Sequence, residues 1–183
     1  MLVYDIDEEL TLRTLDERDA VALFSLIENS REHLREWLPW VDETTTLFDS
    51  QQFISSSDVL FKKKIGLNTG IIYNGELVGV AGFNKFDWNN GIGYIGYWLS
   101  KDYQGKGIMT RVVQALIDYA FEQLNLNRVD IRVAYENYKS RAIPERLGCR
   151  IEGQIRQAEW LYNHYVDHVI YGMLASDWME SRS

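Results

Sequence analysis

The chain has 183 residues, 46% of them hydrophobic and 25% charged, a balance typical of a globular domain with a sizeable core. Its net charge of −8 argues against a general nucleic-acid binder, which needs a basic surface, and suits a cationic partner such as an amine. With one cysteine, no signal-like start and no apolar run approaching about 18 residues, we expect a cytoplasmic protein without membrane contact. The histidines, carboxylates and single cysteine form no metal-binding motif, so no metal is predicted.

Hydrophobic periodicity predicts a mixture of strands and helices in a single domain over residues 1–183. The predicted strands cover residues 10–15, 66–73, 77–86, 91–100, 128–135, 149–160 and 165–175. The predicted helices cover residues 18–38, 50–63, 108–124 and 137–148, the first with a break near Asn29 and Ser30. Asn74-Gly75 is a hairpin signal between the second and third strands. The element order is therefore β-α-α-β-β-β-α-β-α-β-β, an α+β (mixed α/β) class with one β-α-β crossover whose strands should be parallel.

The loop "YQGKGIM" (103–109) precedes the helix that carries the clearest apolar stripe. The free N–H groups and the positive dipole end of a helix start form an anion site, and glycines let the backbone approach a ligand closely. The spacing around Lys106 fits neither a P-loop nor a dinucleotide-binding fingerprint. The sequence therefore predicts a phosphate cradle of another kind, with a merely flexible loop as the alternative.

The element order and this loop resemble the GNAT superfamily of acyl-CoA N-acyltransferases. The family's pyrophosphate motif, Q/R-x-x-G-x-G/A, matches residues 104–109 except at Met109. Residues 137–153 resemble the family's N-x-x-A/S segment, which leads through L-G-F/C to E-G. Together with "LREWLPW" (34–40) and "GYWLSKDYQGKG" (96–107), they resemble the subgroup that acetylates N-terminal amines of ribosomal proteins, the Rim-type serine and alanine acetyltransferases.

This resemblance implies the GNAT fold, a mostly antiparallel mixed sheet with one parallel crossover and helices on both faces. It also implies acetyl-CoA as co-substrate, with its pyrophosphate on the N–H groups of residues 105–109. Unpaired backbone groups of residues 97–100 are expected to hold the pantetheine arm, and the Leu99 N–H to polarise the thioester carbonyl. The residues expected to contact acetyl-CoA are Trp98, Leu99, Ser100, Gln104, Gly105, Lys106, Gly107, Ile108, Met109 and Asn137.

The catalytic residues implied by the resemblance are Glu159, as the general base, and Ser140, as a hydrogen-bond donor to the departing thiolate. Glu152 is the competing carboxylate. The wider family often has a tyrosine that acts as the acid where this chain has Pro144. Ser140 is therefore expected to stabilise the departing thiolate, and Tyr138 is a less favoured candidate for the acid. Asn137 either caps the helix that carries Ser140 or touches the pantetheine.

Trp37 and Trp40 are expected to form an aromatic wall of the acceptor pocket, with core packing or a dimer contact as the alternatives. Cys149 is expected to be a buried, inert thiol. His164 and His168 are expected to face solvent or an interface. The predicted function is acetyl transfer to a protein N-terminus. A small amine acceptor such as a polyamine, amino acid or antibiotic, or a non-catalytic CoA sensor, remains the alternative, and the aromatic content permits a homodimer.

Overall fold

The structure is a computed structural model that describes residues 1–182, so Ser183, the last residue of the predicted domain, lies outside it. The strands are β1 (Val3–Asp5), β2 (Leu10–Arg13), β3 (Leu67–Tyr73), β4 (Glu76–Asp87), β5 (Ile92–Leu99), β6 (Arg128–Ala134), β7 (Arg150–Leu161) and β8 (His164–Leu174). The helices are α1 (Ala20–Asn29), α2 (Arg31–Arg35), α3 (Leu47–Lys62), α4 (Ile108–Glu122), α5 (Tyr138–Arg146) and α6 (Ala175–Glu180).

One sheet contains all eight strands, in the order β1-β2-β3-β4-β5-β6-β8-β7. Every neighbouring pair is antiparallel except β5 and β6, which are parallel and joined through α4. The predicted mixed sheet with one parallel crossover is confirmed. The sequence missed β1 and α6, because three and six residues are too few for a clear hydrophobic period.

The helices cover both faces of the sheet, as predicted. The larger apolar cluster packs α4 and α5 against one face, where α4 buries Val112, Val113 and Leu116. The smaller cluster packs α1, α2 and α3 against the other face of β4, where Val80 is buried. Ser30 separates α1 from α2 at the predicted break, and its hydroxyl lies 3.1 Å from that of Ser100 at the end of β5.

The feature of the fold that shapes the candidate site is the early end of the β5–β6 ladder. These strands pair only from Ile92–Arg128 to Ile95–Ile131, while β5 continues to Leu99 and β6 to Ala134. Beyond the last pair the strands separate, because β6 continues its pairing with β8 and β5 its pairing with β4. The separation leaves a gap in the sheet with one edge of residues 96–99 unpaired.

Among residues 1–182 no helix is both long and apolar enough to span a membrane. Within the same residues, no group of three or more histidine, cysteine or carboxylate side chains is arranged to hold a metal ion.

Candidate active site

The glycine loop has the geometry of an anion cradle. Gly105 and Gly107 have φ angles of +75° and +71°, which other residues rarely adopt, and a Cβ built on either glycine meets no atom within 4 Å. The backbone N–H groups from Gly105 to Thr110 donate to no acceptor within residues 1–182. Because α4 begins at Ile108, these free donors coincide with the positive end of the helix dipole.

Met109, the residue that departs from the family motif, does not crowd this loop. Its side chain is only 7% exposed and belongs to the large apolar cluster beneath α4. Only its backbone N–H is directed to the cradle's side of the helix start. The bulky residue is therefore compatible with an anion at the loop.

The side chain of Gln104 braces the loop against α2. Its Nε2 lies 2.8 Å from Nε2 of His33, a residue that the sequence analysis did not single out. Burial lowers the pKa of His33. Glu36 and a backbone hydrogen bond to Leu99 oppose this shift in part and Lys139 and Lys101 add to it, so the net lowering of the pKa favours the neutral ring. A neutral imidazole has one nitrogen that accepts, so the Gln104 amide can donate to it. Lys106 instead extends over the ring of Tyr103, 4.9 Å from its centroid.

Only some of the backbone groups expected to be free at the end of β5 are unpaired. The N–H of Ser100 donates to the carbonyl of Val78 at 2.8 Å, so it is not free. Backbone groups alternate between the two edges of a strand, so those of Trp98, paired with Val80, also face β4. The expectation of free backbone groups at Trp98 and Ser100 is therefore wrong. By the same alternation, Tyr97 and Leu99 direct theirs into the gap.

The hydroxyl of Ser140, on α5, meets the phenol of Tyr97, on β5. The Tyr97 Oη–H donates to the Ser140 carbonyl at 3.1 Å, and the Ser140 Oγ–H donates to Tyr97 Oη at 3.4 Å. Burial raises the pKa of Tyr97, so the phenol stays protonated at neutral pH. Asn137 caps α5, because its side chain accepts from the Ser140 N–H at 3.2 Å. Tyr138 is 65% exposed and has no hydrogen bond to either residue of this contact.

The two candidate carboxylates have different partners. Oε2 of Glu159, on β7, lies 3.1 Å from Nε2 of His168, on β8. Glu152 is engaged by Arg128, whose hydrogen bonds hold the pKa of this carboxyl below its usual range. Of the two positions expected for His168, open solvent is wrong, because its side chain is 18% exposed and contacts Glu159. His164 is exposed, as expected.

The tryptophans of "EWLPW" lie where α2 meets the tip of the β7–β8 hairpin. Trp40 packs on Trp98 with 5.9 Å between ring centroids, and both rings pack against the smaller apolar cluster. This contact is the packing role named as one alternative for Trp40, while Trp37 is half-buried. The hairpin docks next to them: Tyr162 donates to the Leu38 carbonyl, and Arg35 stacks 3.8 Å from the centroid of its ring.

Cys149 is a buried thiol, as expected. Burial raises its pKa to about 11, so very little thiolate forms at neutral pH. A thiol in this state is a weak nucleophile. The site therefore favours chemistry that does not pass through the cysteine.

Comparison with known proteins agrees with this geometry. Residues 9–150 match the family model of the acetyltransferase (GNAT) domain. The chain is 35% identical to YdaF of Bacillus subtilis (strain 168), by name a ribosomal N-acetyltransferase, over 97% of this chain and 98% of YdaF.

Two solved structures are also similar to the chain. One is RimL, a ribosomal L7/L12 alpha-N-protein acetyltransferase in complex with coenzyme A, with a TM-score of 0.92, 28% identity and coverage of 96% of this chain and 99% of RimL. The other is MccE, a microcin C7 self-immunity acetyltransferase in complex with acetyl-CoA and AMP, with a TM-score of 0.88, 29% identity and coverage of 92% and 94%. The chain belongs to the GNAT acetyltransferase family, and it is an N-acetyltransferase with the fold that the family shares.

Proposed function

We propose that this enzyme transfers an acetyl group directly from acetyl-CoA to the N-terminal α-amino group of a ribosomal protein in the cytoplasm. The observation that carries the proposal is the gap beyond the β5–β6 ladder. The loop with free backbone N–H groups at residues 105–110 follows β5, and the Ser140 hydroxyl contacts Tyr97 of β5. The names of YdaF and RimL support the choice of acceptor.

The chain supplies donors and acceptors that match the parts of acetyl-CoA. The free N–H groups of residues 105–110 suit a pyrophosphate, and a Cβ at Gly105 or Gly107 would occupy the same open space. The backbone of Tyr97 and Leu99 faces the gap and suits the amides of the pantetheine arm. The Leu99 N–H is the proposed donor to the thioester carbonyl.

The reaction needs a neutral amine, and Glu159 is the proposed base. An α-amino group has a pKa of about 8, so a carboxylate acting directly or through water is a sufficient base near neutral pH. The amine nitrogen then forms its bond to the carbonyl carbon as the carbon–sulfur bond breaks. The electron pair leaves with sulfur as a thiolate, which the Ser140 hydroxyl stabilises by turning its one proton from Tyr97 Oη to the sulfur.

A small amine is the second candidate acceptor, because MccE, which is named for self-immunity to microcin C7 and not for a ribosomal protein, resembles this chain about as closely as RimL does. The test is a panel of acceptors incubated with acetyl-CoA, with release of free thiol and mass spectrometry of the products. Peptides that begin with serine or alanine should turn over faster than polyamines, amino acids or antibiotics. Faster turnover of a small amine would replace the proposed acceptor, and no thiol release with any amine of the panel would mean that the acceptor belongs to neither class.

A second copy of the chain is a further proposed partner, and neither nucleic acid nor a membrane is part of the proposal. β7 is the outer strand of the sheet and exposes Ile151 and Trp160 by 58% and 51%. An uncovered apolar edge strand favours association with another chain. Sedimentation of the purified protein should show a dimer, and a monomer at all concentrations would remove this part of the proposal.

Glu159→Gln tests the base. The glutamine side chain would keep the shape of the glutamate but could not take a proton, so kcat should fall about 100-fold. Affinity for acetyl-CoA, measured by calorimetry, should stay nearly unchanged. Glu152→Gln is the matched control, because its carboxylate is already held by Arg128. If Glu152→Gln is the variant that loses kcat while Glu159→Gln is silent, the two roles are reversed.

A further inference from the structure

Glu159 and His168 share one face of the β7–β8 hairpin. Residues paired across antiparallel strands lie on the same face, and the pairs here are Ile155 with His168 and Glu159 with Val166. His168 and Val166 are two residues apart on β8, so all four side chains project from that face. Glu159 is therefore the diagonal neighbour of His168, within reach along the strand direction.

An irregularity in the pairing of β7 brings Glu159 next to His168. Between Ile155 and Glu159 the strand advances four residues while β8 advances only two, so β7 bulges. Gln157, in the bulge, has a φ of +50°. Without the bulge, the residue opposite Val166 would be Gln157 instead of Glu159. The bulge is thus what brings the carboxylate opposite Val166.

Two hydrogen bonds to the carboxylate of Asp167 hold the bulge in place. Its carboxylate accepts from the Gln157 N–H at 2.8 Å and from the Gln154 amide at 2.6 Å. The same two hydrogen bonds, the Gln157 N–H first, hold the pKa of Asp167 below its ordinary value, so the carboxylate is ionised and a strong acceptor at neutral pH. The neighbouring residue, His168, then contacts Glu159 itself.

We propose that His168 is a positioning residue for the general base: its Nε2–H holds one carboxylate oxygen of Glu159 and leaves the other oxygen for the proton of the amine. The inference rests on the proposed role of Glu159. The contact is 3.1 Å, and the side chains are 28% and 18% exposed for Glu159 and His168. An ionised carboxylate only accepts hydrogen bonds, so the proton of this contact belongs to Nε2.

The base needs such a partner because glutamate has three rotatable side-chain bonds. Among residues 1–182, His168 is the one hydrogen-bond partner of the Glu159 carboxylate. Without it, the carboxylate would sample several rotamers, and only some would point at an amine in the gap. A fixed orientation therefore raises the fraction of enzyme that is ready to remove the proton, without changing how acetyl-CoA binds.

The test compares His168→Leu with His168→Gln in the full chain, using the amine that turns over fastest in the acceptor panel. His168→Leu removes the donor, so kcat should fall about 10-fold, with the KM for acetyl-CoA unchanged. His168→Gln places an amide N–H near the position of Nε2 and should recover most of kcat. His164→Leu, in the same hairpin but at an exposed side chain that lies 2.8 Å from the Asn163 amide oxygen, should leave kcat unchanged.

A double-variant cycle separates this inference from the proposed function. In a Glu159→Gln background, His168→Leu should cost almost nothing more, because the two residues act as a unit. If Glu159→Gln is damaging and His168→Leu is silent or fully additive, the inference is wrong and the base assignment stands. If Glu159→Gln is silent, the base assignment itself is wrong.

The contact is also testable without any acceptor. A nitrogen NMR spectrum of the histidine rings at pH 8, assigned with His168→Gln, should show His168 protonated on Nε2. Protonation on Nδ1 would overturn the proposal whatever the kinetics.

Discussion

Ser140 and Tyr97 form a pair of neutral donors where β5 lies against α5. Ser140→Ala removes the one hydroxyl proposed to stabilise the thiolate. A hydrogen bond to a charged group contributes about 1.5–3 kcal/mol, so kcat should fall roughly 10- to 150-fold. Because the bond strengthens only as the thiolate forms, the KM of the amine should move little. Steady-state kinetics with thiol detection measures both quantities.

Tyr97→Phe is the companion variant for this prediction. It removes a neutral hydrogen bond to Ser140 and keeps the packing of the ring, so a smaller loss of about 5-fold is expected. A larger loss for Tyr97→Phe than for Ser140→Ala would mean that the phenol itself contacts the sulfur. An acetyl group found on Cys149, with ping-pong kinetics, would instead indicate a covalent route.

A sequence motif can single out individual residues as candidates, but it does not show contacts between residues far apart in the chain. The motif around residues 137–153 points to Ser140, and the family context points to Glu159. Nothing local indicates that the phenol of Tyr97 reaches a serine 43 residues away, because a strand period gives only the face of the sheet. His168 was misjudged for the same reason, since the bulge in β7 changes which residue lies opposite Val166.

At the scale of elements, the loop before α4 depends on two glycines with positive φ. Gly107→Glu would place a side chain and a negative charge in the open space at the helix start. The affinity for CoA should fall by more than about 2 kcal/mol, because like charges repel and the N–H groups become shielded. Isothermal titration with CoA measures this loss, and circular dichroism checks that the fold is kept.

Gly91→Glu is the matched control for the loop. Gly91 also has a positive φ, +65°, but lies at the other end of β5. Both variants should lose about 1–2 kcal/mol of stability because a side chain disfavours that backbone conformation. The loss should be somewhat larger for Gly91→Glu, because its Cβ would lie 3.3 Å from the backbone nitrogen of Asn127. Only Gly107→Glu should lose affinity for CoA. Equal binding by both variants would remove the phosphate assignment of the loop.

Long periodic elements and strong turn signals were predicted well. α4 repeats its apolar residues with a clear helical period, and the Asn74-Gly75 hairpin has the two positive φ values that its sequence favours, +48° and +84°. The backbone pairing at the end of β5 was only half right. The family resemblance implies unpaired backbone groups there, but which N–H groups stay free depends on the register with β4, which is set by tertiary pairing.

At the scale of the whole molecule, one ion pair joins the sheet to the layer of α1, α2 and α3. Arg13, on β2, makes two hydrogen bonds of 2.7 and 2.6 Å to Asp19, which precedes α1 and is only 9% exposed. The Asp19 carboxylate also accepts from the Asp16 N–H at 2.9 Å. The hydrogen bonds from Arg13 hold the pKa of Asp19 below its ordinary value.

Asp19→Asn should therefore destabilise the fold in a pH-dependent way. The variant leaves the charge of Arg13 without its partner in a largely buried position, so the free energy of unfolding should fall by about 2–3 kcal/mol at pH 7. Because the pKa of Asp19 is lower in the folded chain than in the unfolded one, the wild-type advantage exists above the unfolded pKa of about 4. It should shrink as the pH falls through that value towards the folded pKa, where the carboxylate becomes protonated.

Urea unfolding of both proteins at pH 7 and at steps below pH 4 measures that difference directly. Asp58→Asn is the matched control, since Asp58 pairs with Lys62 on the exposed side of α3 and its side chain is 50% exposed. An exposed pair of this kind contributes less than about 0.5 kcal/mol, so the control should unfold like the wild type throughout. If the Asp19→Asn difference persisted unchanged to the lowest pH at which both chains still fold, the loss would come from hydrogen-bond geometry and not from the charge of Asp19.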